Sequence, residues 1–202
     1  MSAQQDRGEY QALTYFQLME VSLRELLVEK GVVSEQAVSD TVDDMRRRGP
    51  ETGARVVAKA WVDAEFKRVL LENGTRACEA MGIDVPVLKL VVVENTPQVH
   101  NMIVCTLCSC YPRMLLGIPP DWYKSRNYRS RAVREPRAVL AEFGLQIAED
   151  VTIRVHDSTA DMRYMVLPMR PAGTEGWNEA RLASIVNRDS MIGVAVPTIP
   201  KP

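Results

Sequence analysis

The sequence predicts an α+β protein in which a helical arm precedes one mixed domain. Helical periodicity dominates the first third of the chain, short β-rich runs are spread over the rest, and Gly49-Pro50 interrupts the pattern between them. The chain has 202 residues, of which 46% are hydrophobic, so it can bury one substantial core. We expect the arm over residues 1–50 and the domain over residues 51–202.

The arm is predicted as two amphipathic helices between about residues 10 and 48. Gly31 ends the first helix, and Ser34 caps the second. An arm of this length does not form a domain alone, so its apolar face must pack on the domain or on another chain. We predict a subunit interface. The residues of this face are Phe16, Met19, Leu23, Leu26 and Leu27.

The domain is predicted to begin with a helical run over residues 54–81, in which Trp61 and Cys78 are core residues. Further helices are predicted at 136–143 and 177–187. Compact apolar and β-branched runs predict the strands, which are 88–94, 100–104, 151–155, 163–167 and 192–196.

Composition excludes several classes of protein. The formal net charge is -1, so the chain lacks the basic excess of a nucleic-acid-binding protein, and the Arg46-Arg47-Arg48 run is offset by nearby acids. No apolar run approaches the ~18 residues of a membrane span, and no signal pattern opens the chain. We expect a cytoplasmic protein that binds neither nucleic acid nor a membrane.

Three of the four cysteines fall within residues 105–110, the segment called the cysteine loop below. Thiols this close in sequence are poorly placed to link distant parts of a fold, and neighbouring side chains seldom reach disulfide geometry. A metal ion is the natural common partner, with Cys105, Cys108 and Cys110 as ligands.

The C-S-C spacing also allows the backbone to take part. The sulfurs of Cys108 and Cys110 and the amide nitrogens of Ser109 and Cys110 can bind one ion in small chelate rings. Deprotonating an amide opposes peptide resonance, so only some metals repay the cost. A low-spin trivalent ion such as Co(III) or Fe(III) does, with Cys105 as the axial thiolate and a sixth position open for water or substrate.

Two other interpretations of the loop stay open at this point. Zinc held by His100, Cys105, Cys108 and Cys110 would make the chain a zinc-stabilised interaction protein. A free-thiol redox loop is the other interpretation. His100 and His156 are otherwise expected to be structural or surface residues, since neither has a partner motif for nucleophilic catalysis.

The V-C-T-L-C-S-C sequence of residues 104–110 resembles the metal claw of the nitrile hydratase alpha subunit and of the related thiocyanate hydrolase gamma subunit. The resemblance extends over most of the chain. The further matching segments are 57–61, 93–96, 116–120, 128–131, 133–137 and 170–177.

This resemblance implies a layered α-β-β-α catalytic domain that hydrates a small-molecule nitrile to an amide at a non-corrin Co(III) centre. Thr106 matches the cobalt type of claw, so iron is less expected. The resemblance also implies that Cys108 becomes a sulfinic acid and Cys110 a sulfenic acid, while Cys105 remains a thiolate.

The same resemblance implies that the site is completed by other groups. Arg170 is the expected donor to the oxidised sulfurs within this chain. Further arginines are expected from a beta-type partner subunit or from two smaller partner subunits. We expect the remaining arginines near the loop to form a solvated or interface face; they are Arg126, Arg129, Arg131, Arg134 and Arg137.

Two departures from common nitrile hydratases bear on the substrate. Arg113 stands where those enzymes usually carry Trp, and it matches the thiocyanate hydrolase subunit instead. The segment 82–94 is short, and residues 85–88 hold no glutamine. Hydrolysis of thiocyanate to carbonyl sulfide and ammonia is therefore the alternative activity.

Overall fold

The computed structural model describes residues 14–85 and 89–200, and in them helices outweigh strands. The predicted α+β class is confirmed. No helix in these two ranges is long and apolar enough to cross a membrane.

The arm contains α1 (Tyr15–Glu29) and α2 (Glu35–Arg47). Thr14 and Gln17 form a reciprocal cap at the start of α1. The predicted helix boundaries are confirmed: Gly31 has φ +66° after α1, and the Ser34 hydroxyl accepts from the amide of Ala37 at 3.1 Å. Residues 10–13, where we predicted the arm to begin, lie outside the described residues.

The apolar face of α1 is exposed, and α1 has no buried residue. Phe16, at its start, is 81% exposed. Contacts between Cα atoms divide the chain between Asp44 and Met45, so α1 belongs to a unit of its own. The use of this arm as a subunit interface stays a prediction.

Three helices occupy the segment where we predicted one helical run. They are α3 (Pro50–Val62), α4 (Ala64–Glu72) and α5 (Gly74–Ala80). The chain turns at Asp63 and Asn73, whose side chains accept from the amides of Phe66 at 2.9 Å and Arg76 at 3.0 Å. Short polar side chains compete with the helix for backbone donors, which is why each break becomes a new N-terminus.

In the described part of the chain, four strands form two parallel pairs. They are β1 (Lys89–Glu94), β2 (Val99–Val104), β3 (Thr152–Asp157) and β4 (Met162–Leu167). β1 pairs with β4, and β2 pairs with β3. The four corresponding predicted strands are confirmed, although residue 88 lies outside the described residues. Parallel pairing requires long crossovers, and the crossover from β2 to β3 carries four further helices.

The predicted fifth strand, 192–196, is wrong. Ile192 is the last residue of a helix, and Gly193 follows it in the left-handed region with φ +93°. The composition of this segment favours a strand, but the glycine turns the chain away from an extended path. The helix predicted at 177–187 is also shorter than expected, while the one predicted at 136–143 is confirmed.

The other helices are short and lie along the crossovers and the C-terminal segment. They are α6 (Arg113–Leu116), α7 (Asp121–Lys124), α8 (Arg126–Arg134), α9 (Pro136–Glu142), α10 (Glu179–Ala183) and α11 (Arg188–Ile192).

The core joins α3 to the inner residues of the strands. Val57, Met102 and Met165 have no exposed surface. Cys78 is fully buried among them, and burial raises the pKa of its thiol to about 12, as expected for a core cysteine. Trp61 packs against this core and donates from its ring nitrogen to the carbonyl of Pro168 at 2.8 Å.

Gly193 fixes the approach of α11 to β2. A Cβ added there would collide with the carbonyl oxygen of Asn101 and lie 2.7 Å from the Cα of Met102. The carbonyl of Gly193 also accepts from the buried His100 ring at 2.7 Å. Only a residue without a side chain fits this junction.

We predict that Gly193→Ala lowers the free energy of unfolding by about 3 kcal/mol, since it adds a backbone collision to a strained φ. Gly144→Ala is the matched control, because Gly144 has φ +81° and no atom within 4 Å of an added Cβ. The control should lose only about 1 kcal/mol. Urea unfolding measures both, and equal losses would contradict the proposed collision.

Candidate metal centre

The cysteine loop leaves the sheet at the carboxyl end of β2. The register pairs Val104, the last residue of β2, with Asp157, the last residue of β3. The amide of Ser158 donates to the carbonyl of Val104 at 2.7 Å, which holds the two strand ends together. Side chains after adjacent parallel strands meet at one edge of a sheet. Here they bring Asp157 to the start of the loop.

Asp157 fixes the second residue of the loop. Its carboxylate accepts from the amide of Thr106 at 2.9 Å and from the hydroxyl of Thr106 at 2.5 Å. On the other side, the carbonyl of Thr106 accepts from the guanidinium of Arg129 at 3.2 Å. The amide, the hydroxyl and the carbonyl of Thr106 therefore all form hydrogen bonds. The amide and the hydroxyl donate to a charged carboxylate.

Tyr123 fixes the last residue of the loop. Its side chain is fully buried, and its hydroxyl donates to the carbonyl of Cys110 at 2.9 Å. Its ring packs edge to face against Tyr111, the next residue, with 5.0 Å between ring centroids. Trp122 also packs edge to face against Tyr123, so both residues belong to one aromatic cluster.

Held at both ends, the loop brings its three sulfurs together. The Sγ atoms of Cys105 and Cys108 lie 3.5 Å apart, and those of Cys108 and Cys110 lie 3.3 Å apart. All three sulfurs fall within 4.8 Å of one another. Cys105 is buried, Cys110 is half-buried and Cys108 is exposed. One ion can therefore touch all three while one side of the group faces solvent.

The environment separates the thiols in acidity. Hydrogen bonds from Cys110 and Cys105, then from the backbone of Ser109, lower the pKa of Cys108 to about 7. Burial, and then the hydrogen bond to Cys108, raise the pKa of Cys110 to about 12. Of these two thiols, Cys108 is thus the one that more readily becomes a thiolate in the metal-free loop.

A cavity of about 330 Å³ lies against the outer side of the loop. Its lining includes Cys108, Ser109 and Cys110, together with the arginines Arg113 and Arg163. Within residues 14–85 and 89–200, the buried Nε of Arg163 has no hydrogen-bond partner. The positive charge of Arg163 favours the thiolate of Cys110.

Arg170 does not occupy the place that we predicted for it. Its guanidinium donates to the hydroxyl of Thr174 at 3.0 Å, to the carbonyl of Thr174, and to the carbonyl of Trp61 at 3.3 Å. Arg170 lines a different cavity, of about 510 Å³, which Trp61 and Glu94 also line. Of the two, Arg163 is the arginine that lines the cavity at the cysteine loop.

The zinc interpretation loses its fourth ligand. The Nε2 of His100 donates to the carbonyl of Gly193 at 2.7 Å, and its Nδ1 accepts from the amide of Asn95 at 3.4 Å. Burial lowers the pKa of this ring, which favours its neutral form. Both ring nitrogens are already engaged in hydrogen bonds, so neither is left to bind zinc. His156 bonds to Asn101 at 2.8 Å and is structural as well. Within the described ranges, the cluster with metal-ligand spacing contains the three cysteines alone.

Sequence reasoning missed Asp157 and Arg163. Asp157 lies beyond the predicted strand 151–155, whereas the structure makes it the last residue of β3. The signal that locates both residues is topological: the ends of β2 and β3 coincide once their pairing is known to be parallel. Residue spacing alone does not give that pairing.

Residues 14–195 match the family described as nitrile hydratase, alpha chain. The low-molecular weight cobalt-containing nitrile hydratase subunit alpha of Rhodococcus rhodochrous is 54% identical over 185 residues, 89% of this chain and 87% of that one. The thiocyanate hydrolase subunit gamma of Thiobacillus thioparus is 47% identical over 194 residues, 90% of this chain and 80% of that one.

Solved structures show the same two relationships. An Fe-type nitrile hydratase double mutant from Comamonas testosteroni Ni1 superposes with a TM-score of 0.90 at 44% identity, covering 95% of this chain and 97% of that one. A thiocyanate hydrolase mutant superposes with a TM-score of 0.87 at 46% identity, covering 93% and 92%.

We predict that iodoacetamide alkylates Cys108 of the metal-free chain with a half-maximal rate near pH 7. The lowered pKa places its thiolate within the neutral range, so the rate should rise through pH 7 rather than through the ordinary value of 9.0. Buried Cys78 is the internal control and should not react. Peptide mass spectrometry measures both, and a Cys108 profile centred near 9.0 would contradict the prediction.

Proposed function

The chain belongs to the nitrile hydratase alpha-chain family, and on that premise we propose that it is the metal-bearing subunit of a cobalt nitrile hydratase. The reaction adds water to a nitrile: oxygen bonds to the nitrile carbon, and both protons end on the amide nitrogen. The observation that carries this proposal is the group of three sulfurs within 4.8 Å beside a cavity.

The donor set fits a non-corrin Co(III) ion. We assign Cys105, Cys108 and Cys110 as sulfur ligands, and Ser109 and Cys110 as ligands through their backbone nitrogens. The spacing of the sulfurs supports this assignment, since no chain movement is needed to bring them together. When bound, the ion supplies a Lewis acid for the nitrile nitrogen or for water. Iron is the less favoured metal because Thr106 follows the cobalt pattern.

Two of the ligands are proposed to be oxidised in the mature protein, with dioxygen or peroxide as the oxidant. Cys108 takes two oxygens to become a sulfinic acid, and Cys110 takes one to become a sulfenic acid. The exposure and lowered pKa of Cys108 support its oxidation, and the burial of Cys105, which shields its sulfur from the oxidant, supports its remaining unoxidised. The oxygen on Cys110 would act as nucleophile at the nitrile carbon or as base towards water.

Arg163 replaces Arg170 in our proposal as this chain's donor to the oxidised loop. Its free Nε proton and its place in the cavity support this role. An anionic oxygen on Cys110 would accept from this buried Nε. The hydrogen bond would offset the cost of desolvating both the oxygen and the guanidinium.

The active protein is proposed to include a partner subunit. One side of the cysteine loop is open, and α1 has an exposed apolar face and no buried residue. A beta-type subunit, or two smaller subunits, would cover these surfaces and add further arginines to the site. The two parallel strand pairs support the α-β-β-α layering of the family. The free thiols suit the cytoplasm, a reducing compartment.

Thiocyanate hydrolysis is the second candidate function, and Arg113 is the observation that favours it. This exposed arginine lines the cavity at the loop, where its charge would attract an anion such as thiocyanate. A neutral nitrile gains less from that charge than an anion does. Nitrile hydration ranks first because it is the main activity of the family.

We predict that the cobalt-loaded complex converts nitriles to amides and that Cys110→Ser reduces turnover by at least about a hundredfold, because the oxygenated sulfur is lost. Cys78→Ser is the control, since Cys78 is a core residue on α5 and is not one of the three clustered cysteines. Amide release is measured for small, aromatic and heterocyclic nitriles beside carbonyl sulfide release from thiocyanate. Turnover of thiocyanate alone would refute the nitrile assignment.

We also predict that a peptide spanning the cysteine loop carries two oxygens on Cys108, one on Cys110 and none on Cys105. Tandem mass spectrometry of the active complex locates each oxygen. The peptide containing Cys78 provides the control for oxidation during handling, because this thiol is fully buried. An unmodified loop in fully active enzyme would overturn the oxidation proposal.

A further inference from the structure

The arginines of α8 divide into two groups. Arg131 is engaged within the chain: it donates to Glu135 at 2.6 Å and to Glu142 at 2.5 and 2.8 Å. Arg126, Arg129 and Arg134 form no ion pair with any residue that the structure describes. We call these three residues the arginine face.

The hydrogen bonds of the arginine face go to neutral acceptors. Arg129 donates to the carbonyls of Lys124 and Thr106, both at 3.2 Å, and Arg134 donates to the carbonyl of Ser130 at 3.1 Å. These bonds orient the side chains and leave their charges uncompensated. The chain as a whole has a net charge of -1, so the positive charge is a local feature.

A cavity of about 520 Å³ lies on the arginine face. Besides the three arginines, its lining consists of Thr106, Ser130 and Val133. Val133 is 46% exposed, which gives the cavity an apolar part among its charged groups. A concave surface with several guanidinium groups and one aliphatic side chain suits an acidic peptide segment better than a small ion.

This cavity is joined directly to the cysteine loop. Thr106 lines it, and Arg129 donates to the carbonyl of the same residue. A group bound on the arginine face therefore touches the residue that Asp157 fixes from the other side.

We propose that the arginine face docks an acidic segment of the partner subunit, with at least two carboxylates on Arg126, Arg129 and Arg134. This inference rests on the proposed function, which supplies the partner. Charge complementarity identifies the segment as acidic, and the shared residue Thr106 makes its docking a support for the cysteine loop.

A zero-length cross-link tests the contact. Arg126→Lys with Arg134→Lys keeps both charges and places amines where a carbodiimide can join them to neighbouring carboxylates. We expect peptides in which positions 126 and 134 are linked to Asp or Glu of the partner. The matched control is Arg55→Lys with Arg76→Lys, at exposed arginines on α3 and α5. An intact complex with no more linkage at 126 and 134 than in the control overturns the proposal.

Charge reversal tests the energetic contribution. Arg126→Glu with Arg134→Glu should raise the Kd for the partner at least about tenfold and flatten its dependence on salt. Arg55→Glu with Arg76→Glu makes the same change in charge and should alter the Kd by less than about twofold. Circular dichroism checks that both variants fold. Equal effects in the two variants overturn the proposal.

The two proposals are distinguished in the wild-type complex. Nitrile turnover by that complex reports on the proposed function without reference to the arginine face. If the wild-type complex turns over nitriles, but the cross-links are absent and charge reversal leaves the Kd unchanged, only the docking proposal is refuted.

Discussion

The site depends on the fixing of Thr106 by the carboxylate of Asp157. The amide and the hydroxyl of Thr106 both donate to that carboxylate at the end of β3. Tyr123 holds the carbonyl of Cys110 at the opposite end of the loop. Between these two anchors the chain turns tightly, and the turn brings the three sulfurs within 4.8 Å. The metal site thus depends on the parallel pairing of β2 and β3, because this pairing places Asp157 beside the start of the loop.

The same anchors give each sulfur a different environment. Cys105 follows β2 directly and is buried, whereas Cys108 projects into solvent at the tip of the turn. Arg113 and Arg163 line the cavity on the outer side of the loop. The arginine face shares its own cavity with Thr106. Positive charge is therefore concentrated around an open loop.

Much of the fold was predictable because its signals are local. Apolar runs marked β1 to β4, Gly31 and Ser34 marked the arm helices, and the C-x-x-C-x-C spacing marked the loop. The missed features depend on tertiary context. Asp63 and Asn73 divide a continuous helical pattern by capping, and Gly193 turns a strand-like segment aside. The sequence alone does not distinguish Arg163 from Arg170 as the arginine near the loop. The structure distinguishes them, because Arg163 lies on β4 and lines the cavity at the loop.

X-ray absorption at the edge of the bound metal tests the central claim most directly, because it reports the atoms that the loop places around the ion. For the purified complex we predict one cobalt per chain with three sulfur and two nitrogen neighbours and one further light atom. Four neighbours around zinc, with sulfurs at about 2.3 Å, would contradict the account. That result would mean that the loop binds through side chains alone and that the backbone nitrogens of Ser109 and Cys110 keep their protons.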